Sequence, residues 1–239
     1  MKKSLLAIQI LMLLFSCSSE FKPATFETVE INENFDADIT VIYERAKGND
    51  DLSQAINKNI EQAMIYEVGR DSTYTDVMSI LNSFNQEYVD FKKDFPDASE
   101  PKWELQIETE KTYQSEDIIT IAISIYQFEG GAHGNDQIRL LNLNAKNGAI
   151  LRHEDFIGNI EGFETLAKTY FLENLENQKE NLTMEDYFFG KPFHLPENIG
   201  YGDEGIILLY NVYEVASYAQ GYTEFAIPYD KAESFLKMN

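Results

Sequence analysis

Apolar residues recur with two periods along this chain, and the switch between them organises it. Ile39, Val41 and Tyr43 alternate with Thr40, Ile42 and Glu44, the period-2 signature of a strand, and residues 28–34 predict a partner strand just before it. After a break at Gly48-Asn49-Asp50, Leu52, Ile56, Ile60, Ala63 and Met64 fall at helical spacing behind a capping Asn49 or Asp50. That spacing predicts an amphipathic helix over 51–67. Val77, Ile80, Leu81, Phe84, Tyr88 and Phe91 form the stripe of a second helix, which ends at Phe95-Pro96 because proline disfavours helical geometry in the residue before it.

Beyond the stretch from Pro96 to Pro101 the period returns to 2. Trp103, Leu105, Ile107 and Thr109 alternate with Lys102, Glu104, Gln106 and Glu108, a strand with one wet face. Residues 118–128 carry branched side chains on both faces, as a central strand covered on each side does. Gly130-Gly131-Ala132-His133-Gly134 turns the chain into a strand over 137–143, and Asn147-Gly148, both tolerant of positive φ, turns it again into Ile150-Leu151. Phe163, Leu166, Ala167, Tyr170, Phe171 and Leu175 predict a third helix over 160–179; residues 179–196 show no clear period. Residues 205–210 and 222–227 read as strands and 230–238 as a final helix. The pattern predicts an α+β fold of antiparallel sheets with packed helices. A smaller N-terminal unit, residues 27–97, precedes a larger C-terminal one, residues 98–239.

The first residues read differently. Met1-Lys2-Lys3 precedes an apolar run from Leu5 to Phe15, interrupted only by Gln9 and shorter than the ~20 residues that span a bilayer. Leu14-Phe15-Ser16-Cys17 ends the run as a lipobox. The expectation is a lipoprotein signal peptide over 1–16, Cys17 as the lipidated first residue of the mature protein, and a tether over 17–26. Phe15 is bulkier than the residue usual there, and an ordinary cleaved secretory signal or a buried core cysteine is the alternative. Ser18, in place of an acidic retention signal, points to a lipid anchor in the outer membrane of the cell envelope.

Charge narrows the partners. The chain has 19 basic and 41 acidic residues, a net −22, and loss of Lys2 and Lys3 makes it 17 − 41, or −24. Such a field repels nucleic-acid phosphates and attracts cationic proteins. No nucleic acid is expected as a partner, although acidity also serves simple solubility. With Cys17 acylated no thiol is left for a disulfide, so stability rests on packing.

Candidate chemistry is sparse. His133, His153 and His194 show no metal-ligand spacing, and neither a Gly-x-Ser-x-Gly elbow nor a Gly-x-x-x-x-Gly-Lys loop is present. No catalytic residue, metal or cofactor is assigned. Three constellations stand out, each with two readings. The glycines around His133 make either a recognition loop, with His133 and Asn135 as contacts, or a demanding strand connection. Gly200-Tyr201-Gly202-Asp203-Glu204-Gly205 is either an acidic cation loop, through Asp203 and Glu204, or a hairpin turn. The run from Tyr210 to Tyr222, with Tyr213, Glu214 and Tyr218, is either a binding surface or packing under a loop.

These stretches together resemble the RsiV/PdaC-type extracellular domains, a pair of domains of unknown function. The resemblance rests on residues 126–134, on Asn142-Leu143 with Asn147-Gly148 before Leu151, on Phe156, and on the run from Tyr210 to Pro228. The first part, with Ala55-Ile56-Asn57 opening a helix after a strand pair, is similar to the companion domain that precedes it. The resemblance implies a non-catalytic binding or sensing module, because the module in the anti-sigma factor RsiV senses lysozyme by binding it. The implied partner is a cationic wall-active protein such as lysozyme, met by Tyr213, Tyr218, Tyr222 and the His133 loop. Only Met1 to Ser4 precede the apolar run and no separate deacetylase domain follows, so neither anti-sigma activity nor deacetylation is expected. The alternatives are a peptidoglycan-active enzyme using Glu214, Asp203 or His133 as acid or base, and a scaffold subunit of an envelope complex.

Overall fold

A computed structural model describes residues 22–69, 74–98, 101–177 and 183–238. Cys17, the expected signal peptide and the first part of the tether lie outside the described residues. Two sheets, each with its own core, make up an α+β fold.

The first sheet has five strands in chain order: β1 (Phe26–Ile31), β2 (Asp38–Ala46), β3 (Glu104–Gln114), β4 (Ile118–Phe128) and β5 (Asn135–Asn144). Three of the four pairings are antiparallel as expected, but β2 and β3 run parallel, with Val41 opposite Ile107. Parallel neighbours need a long crossover. Here it is the helix pair α1 (Asp51–Gly69) and α2 (Val77–Asp94). Each starts on a carboxylate: Asp50 accepts the Ser53 N–H at 3.0 Å and Asp76 accepts the Ser79 N–H at 2.8 Å. Their stripes, among them Ile56, Ile60, Met64 and Leu81, are buried with Leu105, Ile107, Ile119, Ile121, Ile123 and Ile125. The boundary expected between residues 97 and 98 falls on this crossover, between two strands of one sheet.

The second unit contains α3 (His153–Phe156), α4 (Ile160–Asn177), the antiparallel strands β6 (Asn198–Tyr201), β7 (Gly205–Tyr210) and β8 (Thr223–Pro228), and α5 (Tyr229–Ala232). Its core is aromatic. Phe171 of α4 meets the rings of Tyr187, Phe188, Phe193, Tyr210 and Phe225 at centroid distances between 5.2 and 6.0 Å. The final helix expected over 230–238 stops early. Backbone pairing takes over, with Gly158 N–H donating to Phe235 O at 2.6 Å and Lys237 N–H to Phe156 O at 2.7 Å.

A polar seam joins the units. Thr120 and Asn142 point from the first sheet away from α1, and both are buried. The Thr120 hydroxyl donates to Asn142 Oδ1 at 2.8 Å, Asn142 Nδ2 donates to Ile199 O at 2.7 Å, and Asn198 Oδ1 accepts the Leu140 N–H at 2.9 Å. Thr112 completes the row by donating to Tyr201 O at 2.9 Å. Side chains thus satisfy backbone groups that a ladder would otherwise pair. Gly200 permits the approach, since a Cβ there would come within 2.9 Å of Thr120 Cγ2. Among the described residues no helix is long and apolar enough to cross a membrane.

Candidate functional site

The seam brings two loops side by side. In the first, between β4 and β5, Gly130 and Gly131 adopt φ values of 92° and 97°, the left-handed side of backbone space that favours glycine. Gly134 lies flat on Tyr126, where any Cβ would overlap the ring. These constraints hold His133 out into solvent, with Nδ1 2.8 Å from Gly134 O. The ring then stacks on Tyr218, centroid to centroid 4.0 Å and 18° between planes. The glycines thus fix a demanding strand connection, and His133 is exposed on it.

Tyr218 belongs to the second loop, which follows β7, and it lies 5.6 Å from Tyr213. Tyr213 sits at φ 65° with 56% of its surface exposed. Glu214 anchors this turn by accepting the Glu197 N–H at 2.9 Å and the Asn211 N–H at 2.8 Å. Burial raises the Glu214 carboxyl above the usual carboxylate range, against the pull of those two donors. Asn211 in turn clasps β5, its Oδ1 accepting the Ile138 N–H at 2.8 Å and its Nδ2 donating to Ile138 O at 2.9 Å. Tyr222 hydrogen-bonds Asp136, and burial, followed by that carboxylate, pushes its phenol upward.

Beside the stack runs a furrow between the last turn of α1 and β5. One cavity of ≈ 410 Å³ is lined by Tyr66, Glu67, Arg139, Glu197, Tyr213 and Glu214. A neighbouring cavity of ≈ 460 Å³ takes Val68 and Gly69 from the same helix and His133 and Asn135 from the glycine loop and β5. Arg139 pairs with Glu67 at 3.2 Å, and Gln137 donates to Glu67 O at 2.8 Å. Behind Glu197, His153 hydrogen-bonds that residue's backbone, and burial holds its imidazole below the ordinary value.

Comparison with known proteins places these elements. Residues 30–136 match the family described as deacetylase PdaC, and residues 154–230 match DUF3298, described as a protein of unknown function. The chain carries this pair of domains. A DUF3298 family member from Bacteroides fragilis superposes with a TM-score of 0.71 at 20% identity, covering 90% of this chain and 94% of that one. Another from Pseudomonas aeruginosa gives 0.61 at 20% identity, covering 90% and 95%. At this identity the likeness shows the fold alone. No curated protein matches the chain.

The furrow lies where the two domains meet. The unit built on the five-stranded sheet, most of it within the PdaC match, contributes α1 and β5, and the segment matching DUF3298 contributes Glu197, Tyr213 and Glu214. Of the residues singled out from sequence, His133, Asn135, Tyr213, Glu214, Tyr218 and Tyr222 are gathered around it. Asp203 and Glu204 are not. They are exposed in the turn between β6 and β7, at the opposite end of that hairpin from Glu214. Tyr229 closes that turn by donating to Gly202 O at 2.7 Å. Among the described residues no group of three or more His, Cys, Asp or Glu side chains is placed to hold a metal ion. Sequence reasoning missed Tyr66, Glu67, Asp136, Arg139 and Glu197. Only Tyr66 carried a signal, a large ring on the wet face of an amphipathic helix.

Proposed function

We propose that this chain is a lipid-anchored cell-envelope module that binds its partner without transforming it, the partner being a cationic wall-active protein such as lysozyme. The observation that carries this reading is the ring stack from His133 through Tyr218 to Tyr213, built from loops of two domains and presented beside a furrow. Tyrosines held this way give contact area at little entropic cost. The net charge of −22 would steer a basic protein toward the surface, raising the association rate and making affinity fall as salt screens the field.

Calorimetry tests it, using the chain from Lys22 onward and a basic lysozyme at low and at physiological salt. Saturable binding that weakens with salt is expected. Affinity independent of ionic strength would remove the charge argument, and no heat at either salt would remove lysozyme. The anchor is tested separately by mass spectrometry of protein extracted from membranes. An acylated Cys17 is expected, and a Cys17→Ala chain that still fractionates with the membrane would sink the lipid anchor.

A further inference from the structure

The two cavities draw on consecutive residues of one helix and on one strand. Tyr66 and Glu67 open onto the first and Val68 and Gly69 onto the second, while β5 gives Arg139 to the first and Asn135 to the second. From residue 135 to residue 139 a strand rises roughly 13 Å, the reach of about four residues of extended chain. Strand addition to β5 is blocked there. Asn211 occupies both backbone groups of Ile138, and Asn198 takes the N–H of Leu140. An occupant is therefore gripped by its side chains.

The walls specify which side chains. Tyr66 of α1 and Tyr213 of the DUF3298 turn are 54% and 56% exposed, two large rings left in water on the lining of one cavity. Tyr213 keeps that position at φ 65°, a conformation that costs a residue with a Cβ. Three carboxylates, Glu67, Glu197 and Glu214, share the lining with a single guanidinium, that of Arg139, which is paired with Glu67. Aromatic faces beside surplus carboxylate suit a cation that carries its own apolar stem. A planar guanidinium fits best, because it can stack on a ring and pair with a carboxylate together.

We propose that the furrow binds an extended basic segment of a partner protein and seats one of its arginine or lysine side chains against Tyr66 and Tyr213, with Glu197 as the ion-pair partner. The proposal rests on the binding reading above only for where that segment comes from. It adds the place, the backbone conformation and the side-chain class.

Fluorescence anisotropy with a labelled Gly-Arg-Gly-Arg-Gly peptide tests it, against the same peptide carrying citrulline, a neutral isostere of arginine. The wild-type chain from Lys22 onward is compared with Tyr66→Ala, Tyr213→Asn and Glu197→Gln. The tyrosine changes leave net charge untouched, so a loss of binding in them does not come from the overall acidic field. Both are mild for the fold: alanine favours an exposed helix position and asparagine tolerates positive φ. Circular dichroism checks this. The arginine peptide is expected to bind at least about 10-fold more tightly than the citrulline peptide, and each variant to weaken it about 5-fold. Equal affinity for the two peptides, no arginine-peptide binding to wild type, or unchanged affinity in both tyrosine variants would overturn the proposal. The peptide result decides the furrow, and the lysozyme calorimetry decides the binding reading, so the two fail separately.

Discussion

In the PdaC domain, Ile119, Ile121, Ile123 and Ile125 of β4 share a core with Ile56 and Ile60 of α1, whereas in the DUF3298 domain one ring, Phe171, meets five others. Aliphatic layers spread their packing energy over many small contacts. An aromatic hub concentrates it in one side chain that no neighbour can replace. The polar seam of Thr120, Asn142 and Asn198 then decides whether these two cores melt as one.

The largest effect is expected from Phe171→Ala, a loss of roughly 3–5 kcal/mol in chemical denaturation. The single tryptophan, Trp103, lies in the other core, so its fluorescence reports on the PdaC domain. With the seam intact, fluorescence and circular dichroism are expected to shift together. A shift in circular dichroism alone would show two independent cores. Asn142→Ala comes next, at about 1–3 kcal/mol, because it leaves Ile199 O and Thr120 buried without their partner. It is also the change expected to pull the two probes apart; coincident midpoints in this variant would place the coupling elsewhere. Ile123→Val is expected to cost only about 0.5–1.5 kcal/mol. A loss matching that of Phe171→Ala would end the contrast between layers and hub.

The smallest expected effect is a tilt of stability with pH. His153 packs in the DUF3298 half, and burial holds its imidazole below the ordinary 6.5. The unfolded chain then takes up that proton at a higher pH than the fold does, so unfolding gains protons in this window. Stability should be fully present above about pH 6.5 and be lost as pH falls toward the folded value. Glu214, raised by burial, works in the opposite sense: its contribution is present at low pH and lost as pH rises above the ordinary carboxylate range. The measurement is the thermal midpoint from about pH 7 down to about pH 5.5, in wild type and in His153→Asn. An unaltered slope in the variant would show that His153 is not its source.

Periodicity explains what was legible. The stripes of α1 and α2 and the two-sided burial of β4 follow from side chains whose neighbours lie close in sequence, and their bounds match the expectation closely. β6 escaped because it has four residues, all buried, so it shows no alternation, and one of them is Gly200. The last helix was overread because Leu236, apolar at helical spacing, pairs its backbone with Ile157. Ile150-Leu151, which the Asn147-Gly148 turn leads into, forms an isolated bridge between Leu143 and Ile150. The site divides the same way. His133 and Tyr218 sit in conspicuous glycine-rich and tyrosine-rich runs, whereas Arg139 and Glu197 are ordinary charged residues whose meeting depends on how two domains dock.

The parallel neighbours β2 and β3 also impose an order on synthesis. The hairpin of β1 and β2 leaves the ribosome first, and a lone hairpin is marginal in water. Its next partner follows only after two helices, and β5 later still. For that interval the isoleucines destined for β4 and the helical stripes have no complete sheet to cover, the condition under which nascent chains associate wrongly. A fragment that ends before Asn144 lacks the last strand of its own sheet and is expected to associate with other chains more readily than the whole protein.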